Sequence, residues 1–350
     1  MVKMTSSHRI YPVFLAHAGC PFQCVYCNQW AVTSASSHAA PAPNIVSQFL
    51  EQFTPLLEAA RDKHVPGELA FYGGTFTALP SEVIEEILET VTPWVHAGVF
   101  SGVRFSTRPD GISEEICSLL TTYPIETVEL GVQSLVDEVL IQSRRGYSVE
   151  SVERAAKLVR ALGWRLGFQL MVGLPGDSPV RFLDSIGRTV QLRPDFVRIY
   201  PTVVLTGTLL AEWHRQGSYS PLSLEEALAL CVPAYEAFFQ AQIPIVRLGL
   251  HPDPELQKAG TIIAGPFHPA FGYLVRVRWW RQRVDRQFQD HHDLAPGREL
   301  TLRVADRSLS EVIGPGKSNI RHWLEKWHFR DVKVKGGTDQ LPGKFDYFLN

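Results

Sequence analysis

Short apolar runs alternate with longer amphipathic stretches along most of the chain. YPVFLAH (11–17), LAFYGG (69–74), GVRFST (102–107), TVELGVQS (127–134), WRLGFQLMVGLPG (164–176), FVRIYP (196–201) and IPIVRLGL (243–250) are rich in β-branched and aromatic residues and read as strands. Between them, apolar residues recur at helical spacing over 44–63, 81–95, 113–123, 148–163, 178–193 and 223–242. Ser148 reads as a helix cap and Gly163 as a helix stop, while Ser81 and Glu85 come close to a capping box but miss its spacing. Successive strands begin roughly 25 to 40 residues apart, the repeat of βα units. Glycines and polar residues gather at the C-terminal ends of the strands, which in a parallel β/α barrel is the catalytic edge. The pattern predicts an α/β fold, a partial barrel of the (β/α)6 type, within a domain spanning 1–255. SSHAAPAPN (36–44) reads as a loop.

The texture changes in the remaining stretch, 256–350, which reads as a small C-terminal α+β extension. AGPFHPAFG (264–272) is a Gly- and Pro-rich loop, followed by the basic, aromatic run RVRWWRQRVDR (276–286). A strand (299–305), a helix (317–328) and a second strand (330–336) follow. GPGKSN (314–319) is no phosphate loop, because the required earlier glycine is Glu311; it reads as a glycine turn before a helix.

Composition narrows the class. The 350 residues are 45% hydrophobic and 20% charged, a globular balance with enough chain for one α/β domain and an appended piece. No run is long and apolar enough to predict a membrane span, and MVKMTSSHRI lacks the apolar core of a secretion signal. A net charge of -2 exerts no global pull toward nucleic acid or membrane. Five cysteines, clustered rather than spread, argue against a disulfide framework and for a reducing cytoplasm.

Three of those cysteines, Cys20, Cys24 and Cys27, fall within GCPFQCVYCNQ (19–29), after the first expected strand. Thiolates are soft ligands suited to zinc or to iron–sulfur clusters. A closed zinc site takes four ligands, usually as Cys-x-x-Cys pairs, whereas here there are three in a C-x3-C-x2-C spacing. Three ligands on a cubane cluster leave one iron open to a small molecule. A zinc knuckle or chance clustering is the alternative. Cys117 and Cys231 fall inside expected helices and read as core thiols.

This spacing on this loop, with Tyr26 just before the last cysteine, resembles the radical S-adenosylmethionine (SAM) superfamily. The resemblance implies a radical SAM barrel carrying a 4Fe-4S cluster on Cys20, Cys24 and Cys27. SAM would chelate the open iron through its amino and carboxylate groups. One electron, from an external donor such as flavodoxin or ferredoxin, would cleave SAM to methionine and a 5'-deoxyadenosyl radical that abstracts a hydrogen atom. It also implies a set of SAM contacts. In FYGGTFTAL, Gly73, Gly74 and Thr75 stand where relatives hold the SAM amino group, with threonine where many members carry an acid. Ser106 and Gln133 are candidates for the ribose or carboxylate, and of the arginines in SRRGY it is Arg145 that suits the carboxylate. Gln169 is the polar candidate on the fifth strand, and Tyr200 a candidate adenine neighbour. Arg108 and Asp110 read equally as a local turn pair. The recurrence of polar residues at successive strand ends favours a ligand site.

HAGCPFQCVYCNQ, FYGGTFT, STRPDGI, ELGVQS, GLPGD, RIYP and AGPFHPAFG together resemble the radical SAM domain of the elongator complex catalytic subunit family. The likeness to oxygen-independent coproporphyrinogen dehydrogenases is more distant. Elongator catalytic subunits modify the wobble uridine of tRNA, using acetyl-CoA held by a C-terminal acetyltransferase domain. The tail of this sequence is too short for such a domain, so none is expected. The expected function is a hydrogen-abstracting radical SAM enzyme acting on tRNA. The alternatives are a radical SAM enzyme for a small molecule such as a tetrapyrrole, and a non-catalytic RNA-binding iron–sulfur protein. RVRWWRQRVDR bears on that choice: five arginines and two tryptophans suit RNA phosphates and bases, or else a surface helix with paired arginines and core tryptophans. His251 and His268, each beside a proline near the expected barrel mouth, read as loop or core histidines before ligands. No residue is assigned a catalytic role from sequence.

Overall fold

Parallel strands need crossovers of a dozen or more residues, and the amphipathic stretches supply them. In the computed structural model, which describes residues 9–21, 23–32, 45–63, 65–289 and 297–350, the crossovers are helical. The loop expected over 36–44 lies outside the described residues. The order is β1 (Arg9–Phe14), α1 (Gln29–Val32), α2 (Ile45–Lys63), β2 (Gly67–Tyr72), α3 (Ser81–His96), β3 (Gly102–Thr107), α4 (Glu114–Leu120) and β4 (Ile125–Gln133). There follow α5 (Asp137–Gln142), α6 (Val149–Ala161), β5 (Arg165–Val172), α7 (Pro179–Leu192), β6 (Phe196–Pro201), β7 (Val204–Leu205), α8 (Leu209–Arg215), α9 (Leu224–Gln240), β8 (Ile245–Leu248) and β9 (Ile262–Ala264).

Seven strands, β1-β2-β3-β4-β5-β6-β8, pair in parallel and curl into the expected half-barrel. All seven expected strands are present, and β7 and β9 add a short antiparallel pair. Side chains alternate between the two faces of each strand. Leu69, Phe71, Val103, Phe105, Val128, Leu130, Phe168, Val197 and Ile199 form the fully buried apolar face. The alternate positions carry Glu68, Tyr72, Arg104, Glu129, Gln169 and Arg198, so the other face is polar. Gly167 leaves room there for Phe196, since a Cβ would stand 2.3 Å from that ring.

Helix starts follow local chemistry. Ser178 caps α7, accepting the Arg181 N–H at 3.3 Å, and Pro179 occupies the first turn, where no donor is missed. Ser148 stands at the cap of α6 as expected, but its side chain makes no capping bond; Asp137 takes the Val149 N–H at 2.8 Å instead. Cys117 and Cys231 are buried in α4 and α9, as read. No helix among the described residues is long and apolar enough to cross a membrane.

The chain divides into two compact units, one running through Ala227 with Phe238–Pro269, the other comprising Leu228–Ala237 and Ala270–Asn350. The second contains α10 (Phe271–Gln289), β10 (Glu299–Ala305), α11 (Leu309–Ile313), α12 (Ser318–Trp327), β11 (Asp331–Gly337) and β12 (Phe345–Leu349). β10 is central, parallel to β11 and antiparallel to β12, a strand the sequence reading did not include. GPGKSN forms a turn into α12, with Gly314 and Gly316 at φ 75° and 56°. The basic run lies in α10, with Trp279 and Trp280 in the core. Arg276 pairs with Glu311 at 2.5 Å, Arg281 with Asn319 at 2.8 Å, and Arg283 and Arg286 with Glu236 at 3.5 and 3.7 Å. The tryptophans are therefore not available to stack on bases.

Candidate cofactor site

The cysteine loop leaves the C-terminal end of β1 and is clasped by two neighbouring segments. The Gly73 carbonyl accepts the His17 N–H, and the Thr75 N–H donates to the Ala18 carbonyl, both at 2.8 Å. Gly74 is required by contact: a Cβ there would lie 2.2 Å from the Ala18 carbonyl oxygen. The Gly73–Gly74–Thr75 peptide groups therefore hold the cysteine loop itself. On the other side, the Leu210 N–H donates to the Val25 carbonyl at 2.8 Å, and Asn28 Nδ2 to the Thr206 carbonyl at 2.9 Å. Val25 and Tyr26 pack against Val204, Leu210 and Ala211, apolar burial that anchors the loop. His17, whose pKa is lowered by burial, accepts the Gln29 N–H on Nε2 at 3.0 Å and so ties the two ends of the loop.

Each thiol meets a different polar neighbour. Cys20 Sγ lies 3.3 Å from Thr75 Oγ1, Gln29 Nε2 donates to Cys27 Sγ at 3.3 Å, and Arg145 Nη1 donates to Cys24 Sγ at 2.8 Å. Among the described residues no group of three His, Cys, Asp or Glu side chains already stands in a metal-holding arrangement. The thiols nonetheless share one environment. Burial, then the Cys24 thiol and Cys20, push Cys27 up to about 12, against the opposing pull of Gln29 and Arg145. A buried thiol beside two others resists ionisation, and a cationic centre would reverse that. That donor set fits an iron–sulfur cluster bound by three cysteines. Two orphaned polar atoms strengthen the fit. Tyr26 Oη and Gln133 Oε1 are buried without a hydrogen-bond partner. Gln133 also holds a left-handed backbone, φ 64°, where the β4–β5 register shifts. Such strain persists where surrounding structure imposes it and clusters at functional sites.

Arg145 is almost fully buried at 6% exposure, and its fork is engaged on three sides. Besides Cys24 it donates from Nη2 to the Gly131 carbonyl at 2.8 Å and from Nε to Tyr147 Oη at 2.9 Å. A SAM carboxylate would have to displace or share one of these partners. Arg108 forms the local pair with Asp110, at 2.9 and 2.8 Å, and its Nη2 donates to the Arg145 carbonyl at 2.5 Å. Ser106 and Gln169 meet at 3.1 Å on the polar face, and a small, mainly apolar pocket near the ends of β2 and β3 is lined by Leu15, Ala18, Phe71, Tyr72, Gly74, Phe76, Leu79 and Ser106. Tyr200 lies further round the sheet on β6, two residues beyond Arg198.

Beneath these residues lies a charged layer that sequence reasoning missed. Arg104 bonds Glu68 through both Nε and Nη2, and Glu129 through Nη1 at 2.8 Å. Arg198 bonds the two Glu129 oxygens at 2.7 and 3.0 Å, while Tyr72 Oη donates to Glu129 at 2.9 Å and Gln169 Nε2 at 3.2 Å. Burial alone would raise the Glu129 pKa, but Arg198 and Arg104 outweigh it and hold the carboxyl below its ordinary range. The available signal was the strand period, which puts Glu68, Arg104, Glu129 and Arg198 on one face.

Comparison with known proteins agrees with the fold. The radical SAM superfamily profile matches residues 16–188, and the radical SAM C-terminal domain profile matches 194–281. The chain belongs to the radical SAM superfamily of enzymes. A tRNA uridine(34) acetyltransferase of Dehalococcoides mccartyi is 30% identical over 58% of this chain and 50% of its own length. Human Elongator complex protein 3 is 28% identical over 52% of this chain and 39% of its own. The chain thus spans half or less of these curated relatives. The fold matches that of an N-terminally truncated archaeal Elp3 from Methanocaldococcus infernus, at a TM-score of 0.60 and 23% identity over 81% of this chain and 63% of that one.

Proposed function

We propose that this enzyme binds a 4Fe-4S cluster on Cys20, Cys24 and Cys27, together with SAM, and abstracts a hydrogen atom from a tRNA nucleoside. One observation carries the reading: three free thiols in a C-x3-C-x2-C spacing on a loop clasped at the C-terminal edge of a parallel half-barrel, beside orphaned polar atoms on Tyr26 and Gln133. Held by Cys20, Cys24 and Cys27, the cluster would supply the one-electron reducing power for homolytic cleavage of SAM.

The chain's own residues prepare that site. Arg145 sets a fixed positive charge against Cys24 and so favours electron-rich sulfur. Tyr26, Gly73, Gly74, Thr75, Ser106, Gln133, Gln169 and Tyr200 offer the polar groups and close backbone for SAM, with Arg145 the candidate for its carboxylate. The Glu68–Arg104–Glu129–Arg198 layer closes the floor with rigid, satisfied charges. An external one-electron donor and a cytoplasmic setting belong to the same proposal.

The tRNA substrate rests on what the two named relatives act on or assemble with. Because the α10 tryptophans are core residues, a small-molecule substrate is the competing reading. The deciding experiment is 5'-deoxyadenosine release by anaerobically reconstituted protein, with and without bulk tRNA. Stimulation of several-fold by tRNA supports the proposal. Release indifferent to tRNA transfers it to a small molecule.

A further inference from the structure

Arg198 on β6 and Arg247 on β8 are register partners, next to a register shift at Val197/Arg198, so two arginines occupy neighbouring positions at the sheet margin. Like charges placed opposite one another destabilise a sheet unless each is neutralised. Arg198 is neutralised by both oxygens of Glu129. Arg247 is half-buried and forms no ion pair with any carboxylate among the described residues. Its contact is a side-chain bond from Nη1 to His251 Nδ1 at 3.3 Å.

The chemistry of that contact is directional. A guanidinium has donors only, so Nδ1 of His251 accepts and the imidazole's remaining N–H sits on Nε2. The pair therefore presents further guanidinium N–H groups and an imidazole N–H, with no acceptor. Tyr200 stands two residues beyond Arg198 on β6, on the same face of the strand. Donors from a planar fork, a ring and a hydroxyl, around an unneutralised cation, match an oxygen-rich anion. The position suits a substrate group: β8 ends the sheet at the margin opposite β1, which carries the cysteine loop.

We infer that Arg247, His251 and Tyr200 form a phosphate-binding subsite that holds a phosphate of the substrate at the β6–β8 margin of the barrel mouth. The inference rests on the preceding reading only in taking the barrel mouth as the place where substrate enters. The phosphate could belong to a mononucleotide or to an RNA strand, and the test separates these sources.

The test measures binding of uridine 5'-monophosphate, uridine and a short single-stranded oligoribonucleotide to the full chain, at two salt concentrations. It compares wild type, Arg247→Gln, Arg247→Lys and a control, Arg188→Gln, on the exposed face of α7. Thermal melts verify that each variant is folded. The expected result is tighter binding of the monophosphate than of uridine. Arg247→Gln should weaken that binding by about tenfold or more and lower the salt slope by about one, Arg247→Lys should recover part of it, and the control should behave as wild type. Loss confined to the mononucleotide assigns a small nucleotide; loss for the oligonucleotide as well assigns RNA. Equal affinities of folded Arg247→Gln and wild type for both ligands would overturn the inference. If that equality accompanies intact SAM cleavage, only the subsite falls. If cleavage fails while Arg247-dependent binding persists, the functional reading falls and the subsite stands.

Discussion

Glu129 is fully buried and bound by two arginines, so its charge matters more than its volume. Removing one partner of a buried ionic network leaves the others uncompensated, at a cost of about 3–5 kcal/mol. Glu129→Gln is therefore expected to lose about that much stability at pH 7, measured by urea unfolding. The pH dependence has a definite sign. The folded-state pKa lies below the ordinary 4.5, so the stabilisation is complete above that value and is lost as pH falls toward the folded-state pKa. The gap between wild type and variant should narrow with acidification, and a constant gap would show that charge is not the cause. Arg145 makes a second prediction. A positive charge hydrogen-bonded to Cys24 would stabilise the more negative, reduced form of the proposed cluster. Arg145→Met should lower the midpoint potential by about 60 mV or more, one tenfold step for one electron, with Arg145→Lys between the two. EPR-monitored redox titration reads this directly, and an unchanged potential would restrict Arg145 to folding.

At the scale of elements, the β2 turn and the cysteine loop form one device. Gly74→Ala would drive a Cβ to 2.2 Å from the Ala18 carbonyl and 2.8 Å from that of Leu15, backbone atoms that cannot swing aside. Overpacking of this kind costs about 1–3 kcal/mol. The variant should melt lower and bind iron below the wild-type stoichiometry after reconstitution, whereas normal iron content would show that the clasp does not position the cysteines. Much of this architecture was legible in the chain. The strands at 102–107 and 196–201 were read to the residue, because β-branched runs bounded by turn residues have one reading. The thiols were legible for their spacing. The charged layer was not, since Glu68 and Arg104 look like solvent-facing alternation until the sheet curls and places them opposite Glu129. Ser148 stands at the cap as read, but the capping bond comes from Asp137, eleven residues earlier, a partner that local spacing does not show. In α10 the arginines suggested RNA, but Glu236 and Glu311, distant in sequence, neutralise three of them.

For the whole molecule, the half-barrel brings the cysteine loop and the orphaned polar atoms to one edge, the ordinary place for chemistry on parallel strands, with the charged layer beneath them. The central claim is that this edge cleaves SAM by one-electron reduction. The most direct test is 5'-deoxyadenosine release from SAM and dithionite by anaerobically reconstituted protein, beside Cys24→Ala. The wild type should bind about four irons and four sulfides per chain and release 5'-deoxyadenosine, and Cys24→Ala should do neither. A fully loaded wild-type cluster that leaves SAM intact would contradict the account.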